Sequence, residues 1–417
     1  MAKILISPLG IGTIDRNNAS SRTYRTAKYQ INNQEYESSF VASVLYQHLK
    51  LDGIIFIGTV KSMWEEVYQF FCNQNSLEID EEYWLYLSEK IDTLNHSSDL
   101  DSLNLARLEE VLNVDSKCIL IKYGLNEAEL WGNLDSIIRV TQSLNKGDEI
   151  YLDITHSFRS LAIFQFLTIT FINDLLTEKQ IKIAGVYYGM LDVISELKYA
   201  PIVNLKPLLD MTSWIKGVYN LQNFGNGYMI SELLKEQDKN DIANCIDNFS
   251  ESININYVPT IKQNVSYLKS SIKKDFSSPF KYLKPTIDKF TQQLSTVSNQ
   301  DSEFQLRLAE WYFNSKRYAT GYITLAEAII TYLCEIESKD SSIEDNRNAI
   351  KKLLHTSDNK RTDLFKLYSK VNPIRNAIAH ALLDKKFTDY KSAINSTSGY
   401  IRQAKAIFKT RTLNATK

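Results

Sequence analysis

Glu149-Ile150-Tyr151-Leu152-Asp153-Ile154-Thr155-His156-Ser157-Phe158-Arg159-Ser160 is the stretch on which the fold turns. Its first five residues form a short, mostly apolar run closed by an aspartate, the pattern of a strand buried on both faces. A polar turn follows, and then the apolar segment Leu161–Leu176, whose length suits a helix. Outward from this unit the pattern repeats. Lys3–Ser7, Gly53–Ile57, Cys118–Lys122 and Ile181–Tyr188 read as further buried strands. Between them, Phe40, Val41, Val44, Leu45 and Leu49 share one stripe of a helix over Ser39–Leu49, and Leu130, Leu134, Ile137, Ile138 and Leu144 do so over Asn126–Leu144. Strands alternating with helices predict an α/β domain over residues 1–205, a doubly wound, Rossmann-like, mostly parallel sheet.

From about Pro207 the strand signal fades. Glu303–Asn314, Tyr318–Ile336, Ile343–Leu354, Leu364–Val371 and Ser392–Lys409 read as amphipathic helices, an all-α domain over residues 301–417. Residues 206–300 are polar, rich in Asn, Ser and Lys, and weakly periodic; they read as a helical connector without a core of its own.

Composition narrows the function classes. The 417 residues are 44% hydrophobic and 23% charged, ordinary for a globular protein. No apolar run approaches the roughly 20 residues of a membrane span, and Met1-Ala2-Lys3-Ile4 opens no signal-peptide core, so a cytoplasmic protein is expected. Cys72, Cys118, Cys245 and Cys334 are far apart, as are His48, His96, His156, His355 and His380. Neither C-x-x-C nor H-E-x-x-H occurs, so no structural metal is expected, and chemistry should be metal-free or use a transient ion. The net charge of −1 divides unevenly: residues 301–417 hold 20 Lys and Arg against 13 Asp and Glu, hence +7 there and −8 elsewhere. That is either clustering on solvated helices or a footprint for a polyanion.

Chemistry-bearing residues gather at the strand ends, where doubly wound sheets bind ligands. The first strand runs into Gly10-Ile11-Gly12-Thr13-Ile14-Asp15. A dinucleotide fingerprint needs a third glycine where Asp15 stands, and an acidic ribose ligand that Ile57-Gly58 does not provide, so a nicotinamide or flavin enzyme is not expected. Gly58-Thr59 and Tyr123-Gly124 form similar turns. In the decisive stretch, Thr155 and Ser157 offer hydroxyls, His156 an imidazole and Arg159 a planar fork suited to phosphate or base edges, at a helix start whose N–H groups favour anions. Thr155 as an N-cap and Arg159 as a partner of Asp153 are the structural alternatives.

The second dense segment is Asn372-Pro373-Ile374-Arg375-Asn376-Ala377-Ile378-Ala379-His380. Asn372 as N-cap with Pro373 at the first helical position predicts a helix start, with Arg375 in its first turn. Asn376 and His380, four apart, project from one face with Arg375 beside them. A guanidinium, an amide and an imidazole around one point suit cleavage of RNA by its own 2′-hydroxyl: histidine moves the proton, arginine holds the charge of the phosphorane, and the amide fixes the pose. One histidine cannot easily be base and acid in the same step, so a two-fold dimer is attractive. An ordinary surface helix with a lone histidine is the alternative.

At these two segments the sequence resembles the CARF–HEPN ribonucleases of type III CRISPR systems. Arg375-Asn376-x-x-x-His380 is similar to the R-x4-H motif of HEPN nucleases, and Asp153–Arg159 to the CARF segment that contacts a cyclic oligoadenylate. The Gly10 turn, Tyr123-Gly124-x-Asn-Glu-x-Glu-Leu130, Val186-Tyr-Tyr-Gly189 and Thr324-Leu-Ala-Glu327-Ala match further patches. The resemblance implies a homodimer whose paired CARF domains hold one cyclic oligoadenylate, with cyclic tetra-adenylate favoured over the hexamer. It implies a HEPN-like domain that cuts single-stranded RNA without metal, leaving 2′,3′-cyclic phosphate ends. Arg375, Asn376 and His380 are then catalytic, and Gly10, Thr13, Thr155, His156, Ser157 and Arg159 contact the messenger. Slow degradation of the activator in the CARF pocket, with Thr13, Thr155 or Ser157 positioning a ribose hydroxyl, stays open. So does a non-catalytic sensor that binds RNA or a partner through its helical domain.

Overall fold

The computed structural model describes residues 1–13, 24–156, 159–272, 279–295, 300–356, 361–380 and 389–415. The chain divides into two compact units, Met1–Leu209 and Asp210–Lys417.

In the first unit the strands are β1 (Lys3–Leu9), β2 (Ala27–Ile31), β3 (Gln34–Ser38), β4 (Gly53–Gly58), β5 (Lys117–Leu120), β6 (Glu149–Asp153), β7 (Lys182–Gly189) and β8 (Ala200–Asn204). They form one sheet of order β3-β2-β8-β7-β6-β1-β4-β5. The run from β7 to β5 is parallel throughout, β8 is antiparallel to β7, and β3 is antiparallel to β2. Side chains of a strand alternate between faces, and here both faces are covered. Leu5, Ile54 and Phe56 join a core under helices Val41–Leu49, Trp64–Gln74 and Glu81–Thr93, while Ile4, Ile6, Ile55, Ile57, Ile150 and Leu152 join another under Glu127–Ser143 and Arg159–Leu175. This is the doubly wound, mostly parallel sheet that strand–helix alternation predicts. β1 sends its successors to opposite sides, β4 to one and β6 to the other, which makes the carboxyl ends beside β1 the crevice where such sheets take ligands. The β2–β3 hairpin and β8 are additions that the sequence reading lacks. Asn32 and Asn33, at φ 49° and 64°, form the hairpin turn in the left-handed conformation that asparagine tolerates.

The second unit is helical and corrects the expectation for residues 206–300. That segment does not lack a core: Trp214, Leu221, Ile246, Phe249, Ile253, Val265, Leu268, Ile287 and Phe290 are buried together. Ile242, Ile246, Phe249 and Ile253 recur at helical spacing inside Asn240–Asn254, and the Asn, Ser and Asp residues between them dilute the pattern in the sequence. A further core gathers around helix Tyr318–Ile336, packed by Glu344–Leu354, Asp363–Ala379 and Tyr390–Thr410. Helix Asp301–Asn314 serves both, giving Phe304, Leu308 and Tyr312 to one core and Leu306, Ala309 and Phe313 to the other.

The helix start expected at Asn372-Pro373 is also corrected. The helix begins at Asp363, where the Thr362 hydroxyl accepts from the Phe365 amide at 3.3 Å, and Pro373 lies inside it. Leu364, Leu367, Val371, Ile374 and Ala377 continue one buried stripe past the proline, and that packing overrides the local signal. The proline ring is exposed, so the Ser369 carbonyl that it deprives of a partner faces solvent.

Candidate functional site

At the carboxyl ends of β1, β4 and β6 lies a cavity of about 570 Å³. The loop after β1 supplies Gly10, Ile11, Gly12 and Thr13, the turn after β4 supplies Thr59 and Ser62, and the turn after β6 supplies His156. Arg25, Thr26 and Tyr29 line it from the approach to β2 and from β2 itself; Ser39, Leu191 and Ile194 complete it.

The loops are tied to one another through backbone groups. The Met63 amide donates to the Gly10 carbonyl at 3.0 Å, and the Ser62 hydroxyl donates to the Leu9 carbonyl at 2.7 Å while accepting from the Thr59 amide at 3.0 Å. The Arg25 amide donates to the Thr13 carbonyl at 2.8 Å, which places the exposed Arg25 at the cavity. Gly12 has φ +71°, and a Cβ there would lie 2.5 Å from the Tyr24 ring, so the loop needs glycine twice over. Ser39 donates to Glu66 at 2.6 Å; burial pushes the Glu66 carboxyl up, that bond opposes it, and the Glu65 charge adds to it.

Of the candidate ligand residues, the structure brings Gly10, Thr13, Thr59 and His156 together around the cavity. The His156 ring accepts from the Val41 amide through Nε2 at 3.3 Å, and burial pulls its pKa below 6.5 against the opposing charge of Asp153. Thr155 is used internally: its hydroxyl accepts from the Gly189 amide at 2.8 Å, and its amide donates to Asp153 at 2.9 Å. Asp153 also accepts from the Ser7 hydroxyl at 2.8 Å. Gly58, Tyr123 and Gly124 stand outside the cavity lining. Gly58 packs where a Cβ would meet Trp64, and the Gly124 amide donates to Glu129 at 2.9 Å. Ser157 lies outside the described residues, and Arg159 is the first residue of helix Arg159–Leu175. The sequence reading missed Arg25, Thr26, Tyr29 and Ser39, all of which come from the hairpin or its borders. The signal that was there is Asn32-Asn33 between two runs of alternating residues.

The second cluster is at the carboxyl end of helix Asp363–Ala379. Asn376 and His380 are exposed and Arg375 is half-buried. Arg375 Nη1 donates to Asn376 Oδ1 at 3.2 Å, and the His380 amide donates to the Asn376 carbonyl at 3.0 Å, which carries the helical spacing through to the histidine. Behind them Glu327, from helix Tyr318–Ile336, forms an ion pair with Arg347, and its other oxygen lies 3.8 Å from Arg375 Nη2. Arg347 was not singled out from the sequence, where nothing distinguishes it from other helix-surface arginines. Lys366, Ser369, Lys370 and Pro373 precede Asn376 on the same exposed stripe. Among the described residues no group of three or more His, Cys, Asp and Glu side chains is placed to hold a metal ion, and no helix is long and apolar enough to cross a membrane.

The family described as CRISPR system endoribonuclease Csx1, CARF domain, matches residues 4–192, the strands that build the cavity. That stretch is similar to a CARF domain. Residues 210–301 match the family described as CRISPR-associated protein MJ1674, second domain. CRISPR-associated protein MJ1674 of Methanocaldococcus jannaschii is 38% identical over 412 residues, covering 94% of this chain and 64% of that protein. The chain thus spans just under two thirds of that relative's length. Among solved structures, Enterococcus italicus Csm6 bound to cyclic hexa-2′-fluoro-hexa-dAMP aligns over 99% of this chain and 94% of its own, at 12% identity and a TM-score of 0.38.

Proposed function

We propose that this protein is a cytoplasmic, metal-independent endoribonuclease for single-stranded RNA, switched on by a cyclic oligoadenylate. In this reading residues 1–205 sense the messenger, cyclic tetra-adenylate before the hexamer, across a homodimer. Residues 301–417 form the nuclease domain, and residues 206–300 join the two along the chain.

The observation that carries the reading is the grouping of Arg375, Asn376 and His380 at an accessible helix end. That end presents carbonyls, not amides, so an approaching phosphate finds no anion site in the backbone. The cationic side chain must supply it. His380 takes the proton of the ribose 2′-hydroxyl, whose oxygen attacks the adjacent phosphorus. Arg375 neutralises the developing phosphorane, and Asn376 holds the pose. The bond to the 5′-oxygen breaks, and the His380 of a second copy gives that oxygen its proton, leaving a 2′,3′-cyclic phosphate and a 5′-hydroxyl. In the sensing domain, Arg25 at a cavity floored by Gly10, Gly12 and Thr13 suits an anionic nucleotide. Messenger binding shifts the equilibrium between idle and cleaving forms.

His380→Ala is expected to abolish cleavage in chelator-containing buffer and to leave messenger affinity unchanged. Cleavage at the wild-type rate by that variant overturns the assignment. Messenger-dependent RNA binding without any cut by the wild type converts the protein into a sensor.

A further inference from the structure

We infer that Arg347 is a positioning residue of the proposed nuclease site: by occupying Glu327 it leaves Arg375 loosely held and its charge available to a phosphate. The inference rests on the nuclease reading and adds to it a residue outside the Arg375–His380 motif.

Glu327 stands between two guanidiniums and is engaged unequally. Arg347 Nη2 pairs with Oε2 in direct contact, whereas Arg375 Nη2 is 3.8 Å from Oε1, beyond hydrogen-bond range. Arg347 is itself fixed, since Nη1 donates to the Thr331 hydroxyl and to the Ser341 carbonyl, each at 3.2 Å. Its side chain is 19% exposed, against 31% for Glu327 and 36% for Arg375. The inner arginine is therefore the anchored partner and the outer one the movable partner. Two guanidiniums and one carboxylate leave a single positive charge, and the outer position of Arg375 puts that charge where substrate arrives. Without Arg347, the half-buried Glu327 carboxylate would lack its close counter-ion, and the nearest cation able to replace it is Arg375. A planar fork captured side-on by a carboxylate is neutralised and held back from a phosphate.

The test is cleavage of a labelled single-stranded RNA by the full chain, with the cyclic oligoadenylate that activates the wild type at saturation. Arg347→Met, which keeps most of the stem, is expected to lower kcat about tenfold or more with KM changed less than about twofold. Adding Glu327→Gln in the same chain removes the competing carboxylate and is expected to restore kcat to within about threefold of wild type. Arg347→Lys, which keeps the charge but not the fork that holds Thr331 and Ser341, is expected to lie between. Wild-type kcat in Arg347→Met, a loss that Glu327→Gln does not relieve, or a lysine variant as slow as the methionine variant overturns the inference. Should Arg347→Met fail to fold, the double variant, which has no uncompensated carboxylate, decides alone by the same restoration. A wild type that cuts no RNA with any ring size defeats the nuclease reading itself, a result distinct from a wild type that cuts and an Arg347→Met chain that cuts equally well.

Discussion

His156 accepts from the Val41 amide through Nε2, which leaves the proton of the neutral ring on Nδ1. Burial disfavours a second proton more than the Asp153 charge favours it, so the folded chain holds that proton less readily than the unfolded chain does. As pH falls below 6.5 the unfolded state protonates first, and stability is lost in that direction; as pH rises it is regained. Urea melts from mildly acidic to neutral pH should show that slope, and His156→Asn should flatten it. Arg25 makes a different kind of statement. It lines the cavity from a position that no motif marks, and Arg25→Ala should weaken messenger binding about tenfold, read by calorimetry, while RNA cleavage at saturating messenger stays near wild type. The residue types at the strand ends were legible as a candidate ligand site; their division of labour was not. Thr155 and His156 are neighbours of similar promise, yet one hydroxyl closes the turn onto Gly189 while the imidazole borders the cavity. What separates them is the fold of the turn onto the end of β7, which a sequence does not display.

Helix Asp363–Ala379 shows how an element can hide behind its punctuation. Asn372-Pro373 has the chemistry of a helix start, and a buried stripe from Leu364 to Ala377 runs through it. The motif therefore sits at the carbonyl end of a long helix and not in a first turn. Pro373→Ala restores an amide for the Ser369 carbonyl and should stabilise the chain by about 2 kcal/mol, measured by urea unfolding. It should also slow cleavage, because regularising the backbone two residues before Arg375 moves the guanidinium. On the same exposed stripe Lys370 lies six residues before Asn376, about 9 Å along the axis. Lys370→Glu should raise KM for RNA severalfold at constant kcat and reduce its salt dependence. Strands buried on both faces, β1, β4 and β6, were legible because sheet burial on both sides forces continuous apolar runs. β2 and β3 were not, since their residues alternate with polar ones that face outward.

At the scale of the whole molecule, each unit has its own buried cores, and messenger binding to one is proposed to govern chemistry in the other. Saturation at a hundred times Kd stabilises the binding form by about 2.7 kcal/mol, which for a unit of this size raises Tm by about 5–10 °C. That rise should persist in full in His380→Ala, and shrink at the same messenger concentration in Arg25→Ala. A shift abolished by His380→Ala would mean that the messenger binds the helical unit instead.

The hairpin has a consequence of another kind. Among the described residues it makes β3 a rim of the sheet, and sheet rims invite a strand from a neighbouring molecule. Its outward residues Gln34, Glu35 and Glu37 are hydrophilic, two of them anionic. A second copy adding itself strand to strand would set glutamate against glutamate, a repulsion that keeps crowded molecules from polymerising into fibres through this border.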